Sequence, residues 1–76
     1  MDPSEPTILW RLYRARGPQK GDRVRAVILP GGPPFTLALF ANDDMDRAEN
    51  YETMELAIFR SDEIKRSLLG DDWKED

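Results

Sequence analysis

Two residue types that carry much of enzyme chemistry are missing from this chain, which contains no histidine and no cysteine. The commonest general base, the usual metal ligand and the best nucleophile are therefore absent. Serine occurs at Ser4, Ser61 and Ser67, and no lysine or histidine directly flanks any of them. We predict a protein that is not an enzyme, with no catalytic residue, no cofactor and no metal site.

Paired carboxylates are present at Asp43, Asp44 and Asp46. A calcium loop would add further oxygen ligands at alternating positions and a glycine at its bend, but Ala48 and Glu49 stand at those places. We interpret this acidic segment as a solvated turn.

Arginine and aromatic side chains alternate with apolar ones in two strand-like runs near the N-terminus. In the first run, Trp10 and Leu12 interleave with Arg11 and Tyr13. This period of two residues is typical of a sheet with one apolar face. The opposite face is called the open face, and its candidate interaction residues are Arg11, Tyr13, Arg23, Arg25, Val27, Ala38 and Phe40.

Two functions fit the open face, and a solvated face without a binding role, in which long arginine stems cover the aromatic rings, is a third interpretation. Its apolar part, with Val27, Ala38 and Phe40, suits contact with a partner protein or a second copy, because open two-layer sheets often cover an apolar patch by dimerising. Its arginines and aromatic rings alternatively suit single-stranded nucleic acid, which stacks bases on such rings. The sequence pI near 4.7 favours the protein contact. We expect a protein partner or homo-oligomer, with nucleic acid as the alternative and neither a membrane nor a small-molecule substrate.

Three strands position the open face, and turn-forming glycines and prolines at 17–22 and 30–34 separate them. Because these connections are short, we predict an antiparallel meander. The segment from Arg47 to Tyr51 is either a fourth strand at the sheet edge or part of a loop. The three predicted strands run from about Thr7 to Arg16, from Arg23 to Leu29 and from Phe35 to about Asn42.

After Thr53 the apolar spacing changes to three and four residues, which is typical of an amphipathic helix. Thr53 is a competent N-cap, and Gly70 is placed to end the helix. A rival interpretation, with a strand over 54–58 and a helix starting at Ser61, breaks the longer stripe. That stripe consists of Met54, Ala57, Ile58, Ser61, Ile64 and Leu68.

A helix of about 17 residues matches the length of a strand of about eight, so it can cover one whole sheet face. The predicted fold class is α+β, with two layers: an antiparallel three- to four-stranded meander packed against one C-terminal helix. Outside the core, Leu56 and Phe59, joined by Leu69, form a second candidate contact. The expected core contains Ile8, Trp10, Leu12, Val24, Ala26, Ile28, Leu37, Leu39, Met54, Ala57, Ile58, Ile64 and Leu68, with Trp73 as a candidate to close one end.

The length of 76 residues allows one domain. We divide the chain into a disordered lead-in at 1–6, a single α+β domain at 7–70, and an acidic tail at 71–76 in which Trp73 is a candidate to dock. The lack of cysteine, of a signal-peptide pattern and of an apolar run near the roughly 20 residues of a membrane helix predicts a reducing, cytoplasmic location.

Charge is divided unevenly along the chain. Through Ile28 there are six basic and three acidic residues, whereas the remainder has five basic and twelve acidic residues, for a total of -4. Such asymmetry indicates either a directional contact surface or head-to-tail self-association, or simply an arginine-rich hairpin beside a solvated acidic helix.

The order of parts resembles a group of small bacterial proteins of unknown function. The Gly-Asp-Asp-Trp ending departs from the Gly-Trp expected of that group. The resemblance implies an architecture, a meander followed by one C-terminal helix, and no activity. It is carried by Trp10 and Leu12 in the first strand, Arg25 to Ile28 in the second, Tyr51 before the helix capped by Thr53, and the closing Gly70 and Trp73.

Overall fold

The computed structural model describes residues 5–18 and 20–76. Within these residues the chain forms five strands and one helix. In chain order they are β1 (Thr7–Arg14), β2 (Arg23–Ile28), β3 (Phe35–Ala41), β4 (Asp44–Tyr51), α1 (Met54–Leu69) and β5 (Trp73–Glu75).

The strands form a single antiparallel sheet in the order β4-β3-β2-β1-β5. The first four make the predicted meander, and the chain then crosses through α1 so that β5 pairs with β1 at the far edge. Because α1 contacts β3, β4 and β5, it spans one face of the sheet. The predicted two-layer α+β class is confirmed.

The segment at 47–51 belongs to a full strand. Asn42 and Asp43 have positive φ angles of 51° and 76°, and the residues on either side of them, Ala41 and Asp44, are paired. This is a two-residue hairpin turn of type I′, which Asn and Asp tolerate better than most residues. The predicted turn at 43–46 is therefore displaced, since β3 ends before Asn42 and β4 begins at Asp44.

The helix has the predicted ends. The Thr53 side-chain oxygen accepts a hydrogen bond from the backbone N–H of Leu56 at 3.2 Å, and Gly70 forms the C-cap. Glu55 lies in the first turn and Arg66 in the last, and each charge interacts favourably with the helix dipole there. In the described ranges, no helix is long and apolar enough to cross a membrane.

The core lies between the sheet and α1, and two predicted members are wrong. A β-bulge between Ile8 and Trp10 changes the side to which the start of β1 points. Ile8 consequently lies on the open face and is 45% exposed, while Leu9 packs against the core instead. Ile58 is also exposed. The buried cluster is Trp10, Leu12, Ala26, Ile28, Leu37, Leu39, Ala57 and Trp73.

The C-terminal strand closes the rim of this core. Trp73 is buried opposite Arg14, and the Arg14 guanidinium carbon lies 4.6 Å from the centre of the Trp73 ring. An ion pair between Lys65 and Glu75 joins α1 to β5. The end of the helix and the end of the chain are therefore held against the same edge of the sheet.

Candidate functional site

An apolar row crosses four strands on the open face. Ile8 pairs with Val27, Val27 with Ala38, and Ala38 with Ala48. Residues directly opposite in antiparallel strands share a face, so these four side chains form one line across the sheet. This line, Ile8–Val27–Ala38–Ala48, is called the apolar row.

The middle of the apolar row is buried although the helix lies on the other face of the sheet. Val27 is 2% exposed and Ala38 is 0% exposed. Ile8 and Ala48, at the two ends of the row, are both exposed. The centre of the row is therefore buried, and its ends are accessible.

A second row, of mixed chemistry, lies beside the apolar row. Arg11 pairs with Arg25, Arg25 with Phe40, and Phe40 with Met45. A bulge between Leu39 and Phe40 brings Met45 opposite Phe40, and Met45 is 52% exposed. Met45 therefore extends the apolar area at the β4 edge.

Arg25 already has two partners within the molecule. Its guanidinium carbon lies 4.4 Å from the centre of the Phe40 ring, and its Nη1 lies 2.9 Å from Oδ1 of Asp43. The β3–β4 turn supplies Asp43, so the turn geometry determines where this carboxylate meets the arginine. A ligand that stacks on Phe40 must first displace Arg25.

Basic and polar groups form a third row at the end of the open face. Lys74 pairs with Tyr13, and Tyr13 pairs with Arg23. Arg23 Nη1 lies 3.6 Å from Oδ2 of Asp76, and the Arg23 backbone N–H donates to the Asn42 side-chain oxygen at 2.8 Å. Asn42 thereby connects the start of β2 to the β3–β4 turn.

The three arginines of the open face border one groove of about 410 Å³. Arg11 and Arg25 lie directly opposite each other, and like charges in this arrangement repel. Arg25 is compensated by Asp43 and Arg23 by Asp76. The groove is lined by Ile8, Arg11, Leu12, Arg23, Arg25, Asn42, Asp43 and Asp76.

The structure brings all seven candidate interaction residues onto the open face, while their role stays a prediction. Sequence reasoning missed Ile8, Met45 and Asp76 there. Ile8 and Met45 arrive through bulges, which the apolar spacing does not reveal, and Asp76 arrives because β5 pairs with β1. For Asp43, the sequence did contain a signal, because Asn and Asp tolerate the positive φ of a tight turn.

A second exposed surface lies on α1. The outward residues Leu56 and Phe59 are both large and apolar, and Phe59 is 61% exposed. Leu69, at the last helical position, is also exposed. The predicted second contact is therefore accessible, and its use stays a prediction.

The pKa of Tyr51, on the helix-covered side of the sheet, is shifted. Partial burial, followed by a hydrogen bond to the Glu49 carboxylate and its negative charge, raises the pKa of Tyr51 above its usual 10.0. Among residues 5–18 and 20–76, no three acidic side chains are grouped closely enough to hold a metal ion.

The fold and the site together define a two-layer α+β domain whose single helix covers one face and whose other face is a candidate interaction surface. Comparisons with protein-family models, curated proteins and solved structures find no match. The architecture implied by the resemblance, an antiparallel meander with one helix, is present. Its assignment to a bacterial group stays a prediction.

Proposed function

We propose that this protein is a non-enzymatic interaction module of the cytoplasm that binds another protein molecule, first of all a second copy of itself, through the open face. The observation that carries this proposal is the apolar row, which crosses four strands opposite the helix and ends in exposed side chains.

The exposed apolar side chains of the open face supply the driving force for association. Complete burial of an isoleucine or methionine side chain contributes about 1.5–3 kcal/mol, and Ile8 and Met45 are each about half exposed. Covering both would therefore contribute roughly 2 kcal/mol, with Val27 and Ala38 already packed beneath. A contact of this kind needs no rearrangement of the sheet.

Single-stranded nucleic acid is the alternative. Arg11, Tyr13 and Lys74 supply cations and a ring for it. Phe40, however, is already covered by Arg25, which also binds Asp43. A base would have to break both contacts before it could stack, so the open face supports protein binding better.

The test is sedimentation velocity at increasing protein concentration, with the variants Ile8→Ser and Met45→Ser. Both side chains are exposed, so the fold should survive, and each variant should weaken association. Ile58→Ser is the matched control, since it removes an exposed apolar side chain that belongs to neither candidate contact and should leave the mass unchanged.

Two results would contradict the proposal. One is association that is identical in the wild type, Ile8→Ser and Met45→Ser. The other is a wild type that stays monomeric and binds a labelled single-stranded oligonucleotide with an affinity that Arg11→Ala or Tyr13→Ala reduces, as stacking and phosphate contacts require.

A further inference from the structure

We infer that the contact is head-to-tail: the open face of one copy binds the outward surface of α1 on the next copy. This inference rests on the proposed function and adds to it the partner surface. The open face and the outward surface of α1 lie on opposite sides of the domain, and they have complementary charge and similar apolar centres.

The outward surface of α1 is acidic around an apolar centre. At 100° per residue, Leu56 and Phe59 lie on the side of the helix away from the buried Ala57 and Ser61. Three carboxylates and two arginines surround this centre and leave a net charge of about -1 at neutral pH. These charged residues are Glu55, Arg60, Asp62, Glu63 and Arg66, and all but the half-buried Arg60 are exposed.

Arg60 and Glu63 lie at the edge of this surface. They pair at 3.7 Å, and both border a groove together with Arg47 of β4. The charges that remain near Phe59, on Glu55, Asp62 and Arg66, are net negative.

The open face has the opposite charge around its own apolar centre. Ile8 and Met45 are the exposed apolar side chains there. Four cations and two carboxylates surround them and leave a net charge of about +2. These charged residues are Arg11, Arg23, Arg25, Lys74, Asp43 and Asp76.

Charge favours the head-to-tail arrangement over the two symmetric ones. Two open faces packed together would oppose +2 to +2, and two helix surfaces would oppose -1 to -1. Like-charge juxtaposition disfavours a contact, whereas complementary potentials select one. Arg11 is exposed and has no ion pair within the described residues. Its guanidinium can therefore meet the ring of a neighbour's Phe59.

The arrangement of the two surfaces determines the type of assembly. They lie on opposite layers of the domain, so each copy retains one unused surface after binding once. Such a heterologous contact does not end at a dimer but extends into a chain or closes into a ring.

The experiment uses two variants at exposed positions, Arg11→Glu on the open face and Phe59→Glu on α1. Wild-type mass should rise beyond that of a dimer as concentration increases. Each variant alone should associate at least about tenfold more weakly, which corresponds to about 1.4 kcal/mol. An equimolar mixture should form 1:1 dimers and nothing larger, because each variant contributes its one intact surface.

The matched control is Lys20→Glu, a charge reversal at the exposed β1–β2 turn, which should assemble like the wild type. Circular dichroism verifies the fold of every variant.

The outcomes separate the inference from the function it rests on. If Phe59→Glu still forms a dimer while Arg11→Glu does not, the contact is face-to-face: the head-to-tail inference is overturned and the open-face function stands. If Arg11→Glu assembles like the wild type, both are overturned. A wild type that is monomeric at every concentration also overturns the head-to-tail inference.

Discussion

Both faces of the sheet contain fully buried residues, although the helix lies on one of them. Leu12, beneath α1, and Ala38, on the open face, are both fully buried. Leu12 belongs to the hydrophobic cluster that includes Ala57 of α1, whereas Ala38 lies outside that cluster. Burial of a side chain therefore does not by itself identify the helix-covered core.

Each face also contains one arginine stacked on an aromatic ring. Arg14 lies over Trp73 at the rim of the core, at 4.6 Å, and Arg25 lies over Phe40 on the open face, at 4.4 Å. The first pair attaches β5 to the domain. The second covers an apolar ring with a long side chain that Asp43 also holds.

The largest expected effect compares one buried side chain from each face. Leu12→Ala should lower the free energy of unfolding by about 3 kcal/mol, because it leaves a cavity under a fixed helix. Val27→Ala removes two methyl groups from a side chain outside the core cluster and should cost only about 1.5 kcal/mol. Urea unfolding measures both values, and a Val27→Ala cost equal to that of Leu12→Ala would show that the open face is a second core.

The next effect concerns the turn that leads into β3. Gly32 has a φ of 121°, and a Cβ there would lie 2.7 Å from Cδ1 of Phe35, which packs against the core. Gly32→Ala should therefore destabilise by about 2 kcal/mol or more. Gly31→Ala is the control, because its φ is 101° but no atom lies within 4 Å of the added Cβ. Thermal unfolding should rank Gly31→Ala as clearly milder, and equal costs would refute the role of the Phe35 contact.

A smaller effect concerns the N-terminus of α1, the helix that covers the core. Thr53→Ala removes the acceptor for the Leu56 N–H and should cost about 1 kcal/mol. Thr53→Ser keeps a hydroxyl and should restore most of that loss. Chemical unfolding measures both variants, and association through the open face should not change in either. A serine variant as unstable as the alanine variant would mean that the methyl group, rather than the cap, matters.

The smallest effect is a pH dependence on the covered side. Because the pKa of Tyr51 is raised in the folded chain, its contribution to stability is complete below pH 10.0 and is lost as pH rises through the folded value. Unfolding measured from pH 9 to 11 should show a decline that Tyr51→Phe reduces. Tyr13→Phe is the control, and a decline of the same size in Tyr51→Phe would point to other groups.

The sequence was sufficient to predict the layers but not the bulges. Alternation in β1 to β3 and the stripe after Thr53 reflect burial against one face, and this physical cause is local. Ile8, Leu9 and Trp10 are all apolar, so their pattern fits either register, and pairing with β2 decides between them. With three residues, β5 is too short for any period to be detected.

The arginines and aromatic residues of the candidate site could be predicted from the sequence, because the alternation of side chains along a strand is a local pattern. Its exposed apolar ends were not, because Ile8 and Met45 reach the open face only through the irregular pairing of neighbouring strands. The partner carboxylates Asp43 and Asp76 depend on a turn and on a strand crossing. Contacts distant in sequence therefore decide how the surface is completed.

The bulge near the start of β1 has an evolutionary consequence. Loss of Leu9 would restore regular alternation and leave Ile8 opposite Val27, so the apolar row would keep its exposed end while the core would lose the contact that Leu9 makes. Among chains that share this fold, a one-residue difference in length before Trp10 would thus change the packing beneath the helix and leave the side chains of the open face in place.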